Sequence, residues 1–579
     1  MILQALNSYY ERLAADYNSG VAPEGFSGQP VGFALELSED GALTNVYDLR
    51  EDKGKNKFPV SMILPSLGEA RGSGIKANFL WGNATYVLGR DNKGKPERSK
   101  DCQKSFYDLH HKLLAKVEAK EAKAFLNFLE KPAADHSEIE KNWADIVKAN
   151  LVFRLRGQTE FLHEYGVLGQ YWEVDREDAE ALSGVCLVTG EKGMIAKLHP
   201  AIKGIVVPGA RAEMFLCSYN QDAFCSFGKK KNLNGPVGSK AAFGYTTALN
   251  YLLRRPAQCV RLGVTTVLAW AERPSVLEEA ALGFFAAPEP GDKVAATAEA
   301  ATRLNVLRRL VRGLPVTEAW PDLEPEVEMR VLGLAPSAAR LSVSFYLTGS
   351  AEGFLKKVRG WYADLNIQKR YDREKDFPSV YEIAKAALGK RKEPKDVKRL
   401  GEDLLKAALA GGRYPAYLLP MCLNRLRAGD NFLAVHAALI KAVLIRNLNQ
   451  EVSMSLNTAH PIPAYQLGRL FALLVLVQKK AIGPNINADI RDKYFGSASA
   501  TPALVFPLLI RNAQNHISKA KAYGYDKMIG GVLDKIGDAF PHNLSLEDQG
   551  LFALGYYHQL ADKKIEDADK DSDNQGAEE

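Results

Sequence analysis

Paired cysteines, long apolar runs and the short motifs of nucleotide- and metal-dependent enzymes are all missing from this 579-residue chain. Its six cysteines (Cys102, Cys186, Cys217, Cys225, Cys259, Cys422) include no CxxC pair. That excludes a disulfide framework or zinc ribbon as the organising feature and makes a reducing cytoplasm the expected compartment. Cys217 and Cys225 alone supply too few ligands for a structural zinc. The best apolar run, Leu470–Val477, is about half a membrane span. Met1–Tyr17 carries Glu11, Arg12 and Asp16 where a signal peptide would be apolar, so secretion is not expected. Leu3, Leu6, Tyr10 and Leu13 instead mark one face of an amphipathic helix. No GxxxxGK is followed by Ser or Thr, no GxGxxG opens a helix after a strand, and neither HExxH nor HxE with a downstream CxxC occurs. Gly235–Lys240 (GPVGSK) has its glycines and lysine in the wrong order for a phosphate-cradling loop. His110 and His111 are adjacent in a predicted helix and point about 100° apart, which suits one buried and one exposed ring rather than a shared metal. No catalytic residue, cofactor or metal is expected.

The content that remains is ordinary for a globular protein: 46% hydrophobic and 25% charged residues exclude general disorder. The length exceeds one hydrophobic core and calls for about two to four domains. Net charge is +6, too mild to prove a nucleic-acid partner unless the excess is concentrated locally.

Patterning predicts an α+β fold: an irregular mixed N-terminal domain, then an all-helical C-terminal region ending in a four-helix bundle. Short β-branched or alternating runs (Val31–Leu37, Thr85–Leu88, Gly204–Val207, Val264–Ala269) read as strands. Lys104–Glu118, Ala119–Glu130, Asp135–Ala149 and Ala301–Arg312 read as helices, and Pro288–Val294 as a loop insertion. From Pro378 onward helical spacing is nearly continuous. It covers Val380–Leu388, Lys395–Ala410, Pro415–Leu426, Asn431–Asn447, Pro463–Lys480, Thr501–Tyr523, Tyr525–Phe540 and Ser545–Lys564. The expected organisation is residues 1–350 as the mixed domain, 351–377 as a linker, 378–453 as a helical connecting region and 454–565 as the bundle. Residues 566–579, with seven acids and one lysine, form an acidic disordered tail.

Two segments stand out by composition. Arg71–Lys100 holds seven cations against two acids, with glycines that permit close approach to a ligand, among them Gly74. Within it Lys76, Asn78 and Asn83 are candidates for contacts to base edges, and Trp81 or Tyr86 for stacking or wedging. Ala223–Ala271 contains no Asp or Glu in 49 residues but seven cations: Lys229, Lys230, Lys231, Lys240, Arg254, Arg255 and Arg261. Acid exclusion is expected where a polyphosphate passes, because a facing carboxylate repels as strongly as a lysine attracts. Asn232 and Asn234 lie in the same basic loop, and the helix after it could turn its free N–H groups toward phosphate. A third cationic cluster, Lys356 to Arg373, is interleaved with Asp364 and Asp372 and reads as a solvated face.

The same segments carry a resemblance. Ser73–Gly89 (SGIKANFLWGNATYVLG), Cys186–Gly190 (CLVTG), Ser218–Phe224 running into Asn232–Ser239, Ala242–Leu253 and Val331–Leu341 occur in the order typical of the large subunit of type I-C CRISPR surveillance complexes, the Csd-type CRISPR-associated family. The opening MILQAL fits as well, and the similarity covers roughly the first 350 residues. It implies a non-catalytic subunit of a Cascade assembly, built on CRISPR RNA beside the backbone subunits and the subunit that processes and caps the 5′ handle. Such subunits recognise the protospacer-adjacent motif in double-stranded DNA, help part the strands, hold the displaced single strand and recruit a separate helicase–nuclease. Sequence reading is left to guide–target pairing.

Related type I-C systems also make small helical subunits from an internal start in the large-subunit gene. Met454, in the uncharged junction Val452–His460, is the candidate here; Met454 through Glu579 is 126 residues. Residues 454–565 hold twelve Lys or Arg against eight Asp or Glu, which suits a surface along single-stranded DNA. The competing readings are a metal-dependent nuclease with dispersed carboxylates and a stand-alone RNA-binding or RNA-processing protein.

Overall fold

The computed structural model describes all residues except 17–18, 54–55, 66–74, 92–93, 132–135, 169–171, 173–181, 220, 286–297, 390–393, 484–488 and 563–579. The expected loop at Pro288–Val294 and the acidic tail therefore lie outside the described residues. The chain forms two compact units. The first comprises Met1–Ile205, Ala210–Arg254 and Pro336–Ser342, the second Val206–Gly209, Arg255–Ala335 and Val343–Glu579. The stretch 1–350 is thus divided between them, and the chain passes from the first unit to the second after Ile205, after Arg254 and after Ser342.

Period-two alternation builds the first unit's main sheet, ordered Leu43–Asp48, Phe33–Leu37, Asn150–Leu155, Trp81–Asn83. Phe33–Leu37 is buried along its whole length and runs parallel to Asn150–Leu155. Phe33, Leu35 and Leu37 face one core with Phe106, Phe125 and Phe128, from the helices Pro96–Leu114 and Lys120–Glu130. Ala34 faces a second, smaller cluster with Val31, Leu64, Trp81 and Val152. Glu36 is also buried, and a carboxylate there needs partners. Tyr47 and Thr44 hydroxyls donate to it at 3.2 and 3.1 Å, and Arg154 pairs with it at 3.2 Å.

Two predicted strands are absent. Thr85–Leu88 is instead the short helix Ala84–Val87, because the Asn83 side chain accepts from the N–H groups of Thr85 and Tyr86 and turns the chain into a helical start. Gly204–Val207 forms no strand; pairing there is a single bridge between Ile202 and Met214.

A four-stranded sheet, ordered Cys259–Leu262, Thr265–Ala271, Glu328–Ser337, Arg340–Ser350, lies in the second unit apart from the hairpin tip Pro336–Ser342. Residues 351–377, expected as a linker, begin with the helix Ala351–Leu365, which buries Phe354, Leu355, Val358, Trp361 and Tyr362 at helical spacing. Val380–Leu388 forms as predicted, closed by a reciprocal cap between Ser379 and Glu382. Among the described residues after Met454 there are five helices: Pro463–Ile482, Ile490–Ala500, Pro502–Ala520, Tyr523–Ile536 and Leu546–Ala561. The additional one, Ile490–Ala500, is capped by Asp489 and buries only Ile490, Phe495, Ala498 and Ser499, so its apolar period is weak in the sequence. Among the described residues no helix is long and apolar enough to cross a membrane.

Candidate nucleic-acid interface

Of the first basic segment, Gly74 lies outside the described residues. Lys76 is exposed, and its backbone N–H donates to the Tyr86 hydroxyl at 3.2 Å. Asn78 is half-buried. Beyond it the chain dives inward. Phe79 stacks on His110 and Trp172 with centroids 5.5 and 5.7 Å apart. Leu80 has the left-handed φ of 58°. Its N–H donates to His110 Nε2 at 2.8 Å, so the ring proton sits on Nδ1 and is donated to the Phe106 carbonyl at 2.7 Å. Burial pushes His110 down to about 3, which keeps the ring neutral. His111 is half-buried beside it, so the two rings occupy different environments.

Trp81 is only 5% exposed, and its indole N–H donates to the Pro65 carbonyl at 2.6 Å. Its ring belongs to the core and is not presented for stacking. The Asn83 side-chain oxygen is occupied by the helix cap. Lys76 is thus the exposed candidate of this segment, and Asn78 and Asn83 are both half-buried.

The second basic segment is built around a tight turn. Ser226 and Lys229 pair across it, and Lys229 N–H donates to the Ser226 carbonyl at 3.0 Å. Asn234 fastens both feet: its side chain accepts from Ser226 N–H at 2.9 Å and donates to the Lys229 carbonyl at 3.0 Å. Asn232 is buried, with its amide donating to the Ala196 carbonyl at 2.7 Å, so it positions the loop from beneath. Lys229, Lys230 and Lys240 are exposed and make no ion pair among the described residues. Lys231's backbone begins a short 3₁₀ turn, and its side chain lies outside the described residues. Other cations are engaged elsewhere: Arg50 with Asp48 and Asp145, and Arg90 with Glu140 and the Trp143 ring. Free lysines displayed together are what phosphate binding requires.

The loop leads into the helix Ser239–Leu253, whose N-terminus has no capping side chain and no acid in its first turn. Gly238 N–H donates to Cys186 Sγ at 3.1 Å, tying that end to the CLVTG turn. Burial raises the Cys186 thiol, but the N–H groups of Gly238, Thr189 and Val188 outweigh it and leave the thiol below its ordinary value. Arg254 ends the helix, exposed; Arg255 belongs to the second unit and pairs with Glu279 at 3.4 Å. The predicted phosphate-contacting set is therefore split between the units.

Two side chains were missed in the sequence. Phe227, at the turn's tip, is 99% exposed. Arg340, brought in by Pro336–Ser342, lies 4.4 Å over the Phe224 ring and is held by pairing of its strand with Phe215. A phenylalanine beside three lysines was a visible signal for the first; nothing local announced the second. Among the described residues no group of three or more His, Cys, Asp or Glu side chains could hold a metal ion.

A family model described as CRISPR-associated protein (Cas_Csd1) matches residues 6–563 of the chain. No curated protein matches it.

Proposed function

The chain belongs to the CRISPR-associated Cas_Csd1 family, and from that membership we propose that it is the large, DNA-engaging subunit of a type I-C surveillance complex. In this reading it acts by binding, without cutting. It recognises the protospacer-adjacent motif in duplex DNA, helps open the strands for guide-RNA pairing, holds the displaced strand and recruits a separate helicase–nuclease. Its partners are CRISPR RNA, the Cascade backbone subunits and the handle-processing subunit. The observation that supports the phosphate-holding part is the fastened loop displaying Lys229 and Lys230 in an acid-free stretch of 49 residues. Motif reading is assigned to the Lys76–Asn78 surface.

The deciding experiment is co-purification of the chain with its operon partners and CRISPR RNA, followed by titration with DNA that carries or lacks the motif. Comigration and motif-dependent affinity are expected. Magnesium-dependent cleavage by the isolated chain would instead support the nuclease reading. Within the complex, Lys229→Ala with Lys230→Ala should weaken binding to all DNA about equally. Losing two phosphate contacts should reduce the slope of log K against log salt by about 2. Loss of motif discrimination with an unchanged salt slope would refute the phosphate assignment.

Met454 is proposed as an internal start. It is half-exposed in the junction between the helices Ala434–Leu448 and Pro463–Ile482, so initiation there cuts no helix. Met421 and Met528 both lie inside helices. The released segment would uncover Tyr557, which packs edge-on against Phe432 at 5.2 Å, and so would present an apolar face to a new neighbour. Expression of the gene with a C-terminal tag should give a short product that Met454→Leu abolishes. A short product of unchanged size in the variant would exclude this start.

A further inference from the structure

Phe227 occupies a position that nothing among the described residues explains. A two-residue hairpin turn of type I′ needs left-handed φ at both central residues and is usually made by Asn-Gly or Asp-Gly. Here Gly228, at φ 70°, meets the second requirement with ease, but the first, at φ 50°, falls on a phenylalanine. Four other non-glycine residues among those described have positive φ, and each has a local reason. Leu80 is buried and bonded to His110, Asn449 and Lys521 end helices, and Ala338 is small and sits in a hairpin turn. The Phe227 ring, 99% exposed, gains no packing in return for its backbone strain. Asn234 nonetheless holds the turn from both feet, so the ring is displayed on a fixed support.

From this we infer that Phe227 is a base-stacking residue. Its ring lies against an unpaired nucleobase where the strands of the bound DNA separate, while Lys229 and Lys230 hold the adjacent phosphates. The inference rests on the DNA-engaging reading above and names the residue that would meet the opened base. The surroundings favour a nucleobase over an apolar protein pocket. Along the turn its neighbours are Ser226, Gly228 and Lys229, all exposed, and no carboxylate occurs from Ala223 to Ala271. A protein contact of comparable strength needs a contiguous apolar patch, whereas a base needs one ring face and a cation for its phosphate. A paired base shows only its edges; stacking requires the face that strand separation uncovers.

The test uses the assembled guide-RNA complex and motif-bearing DNA with a short unpaired stretch beside the motif. Phe227→Ala and Phe227→Leu should lower affinity for this forked DNA about 5- to 100-fold, and Phe227→Trp should retain it. Phe227→Gly should lose binding to the same degree while melting at the wild-type temperature or above it, because the backbone strain is relieved. Wild-type affinity in Phe227→Leu would overturn the inference and leave the DNA-engaging reading standing. A protein subunit lost from Phe227→Ala complexes on gel filtration without DNA would overturn it in favour of a protein contact. If the wild-type complex ignores motif-bearing DNA, the broader reading falls and this inference falls with it.

Discussion

Gly468→Ala and Gly555→Ala are each expected to destabilise the second unit by about 3 kcal/mol or more, among the largest effects available to single methyl additions. The two glycines lie where the helices Pro463–Ile482 and Leu546–Ala561 meet. A Cβ at Gly468 would stand 1.9 Å from the Phe552 carbonyl oxygen, and one at Gly555 2.0 Å from that of Tyr465. Both obstacles are backbone, so no rotamer change relieves them and the helices must move apart. Separation would break two buried polar contacts as well. Tyr465 hydroxyl and His558 Nδ1 are 2.8 Å apart, and Arg469 donates to Gln559 at 2.9 Å.

Against this, alanine is favoured over glycine in a helix interior by about 1 kcal/mol. The clash wins because it acts on the whole interface. Gly530→Ala and Gly531→Ala provide the contrast, since a Cβ at either meets nothing within 4 Å. Those variants should gain up to about 1 kcal/mol. Urea or thermal unfolding of the four variants measures the difference. Wild-type stability in Gly468→Ala would show that the helices cross less closely than described. The double variant Gly468→Ala with Gly555→Ala should cost less than the sum, because the first methyl already separates the helices.

Acidification is expected to destabilise the first unit through His110. An unfolded histidine titrates near 6.5, whereas burial lowers His110 to about 3 in the folded protein. Between those values the unfolded chain binds a proton that the folded chain refuses. Stability contributed by the neutral ring is therefore complete above about pH 6.5 and is lost as pH falls toward 3. At the low end the loss from this residue alone is on the order of 4 kcal/mol. His163 and His199, each lowered to about 4 by burial, add to it with the same sign.

His110→Gln isolates the contribution. The amide oxygen can still accept from Leu80 N–H, but the side chain does not titrate and leaves a gap beside Phe79 and Phe106, whose ring centroids lie 5.5 and 4.3 Å from the imidazole. The variant should be less stable at pH 7 by about 2 kcal/mol and should lose stability less steeply between pH 6.5 and 4. Parallel curves for variant and wild type would show that another group takes up the proton.

The sequence by itself determined the family, through five motifs in order. It also determined the change from mixed to helical texture, because periodicity is a local property that each helix repeats every turn. Val380–Leu388 was legible to the residue since its spacing, its Ser379 cap and its glycine stop agree. The basic loop was legible because acid exclusion is a count. What sequence could not show was which of its polar and aromatic side chains face water. Trp81 and Phe227 both lie in basic segments rich in glycine and asparagine, yet one is 5% exposed and the other 99%. The difference lies with distant chain: the Pro65 carbonyl and the strand Asn150–Leu155 cover Trp81, while among the described residues nothing folds over the tip of the Ser226–Lys229 turn. Asn232 and Asn234, two residues apart, diverge in the same way. One is buried on the Ala196 carbonyl, and the other fastens the displayed turn. The passage from one unit to the other between Arg254 and Arg255, and the helix crossing at Gly468 and Gly555, were likewise decided by tertiary structure. Close approach and covering are properties of segments far apart in sequence, and no local pattern encodes them.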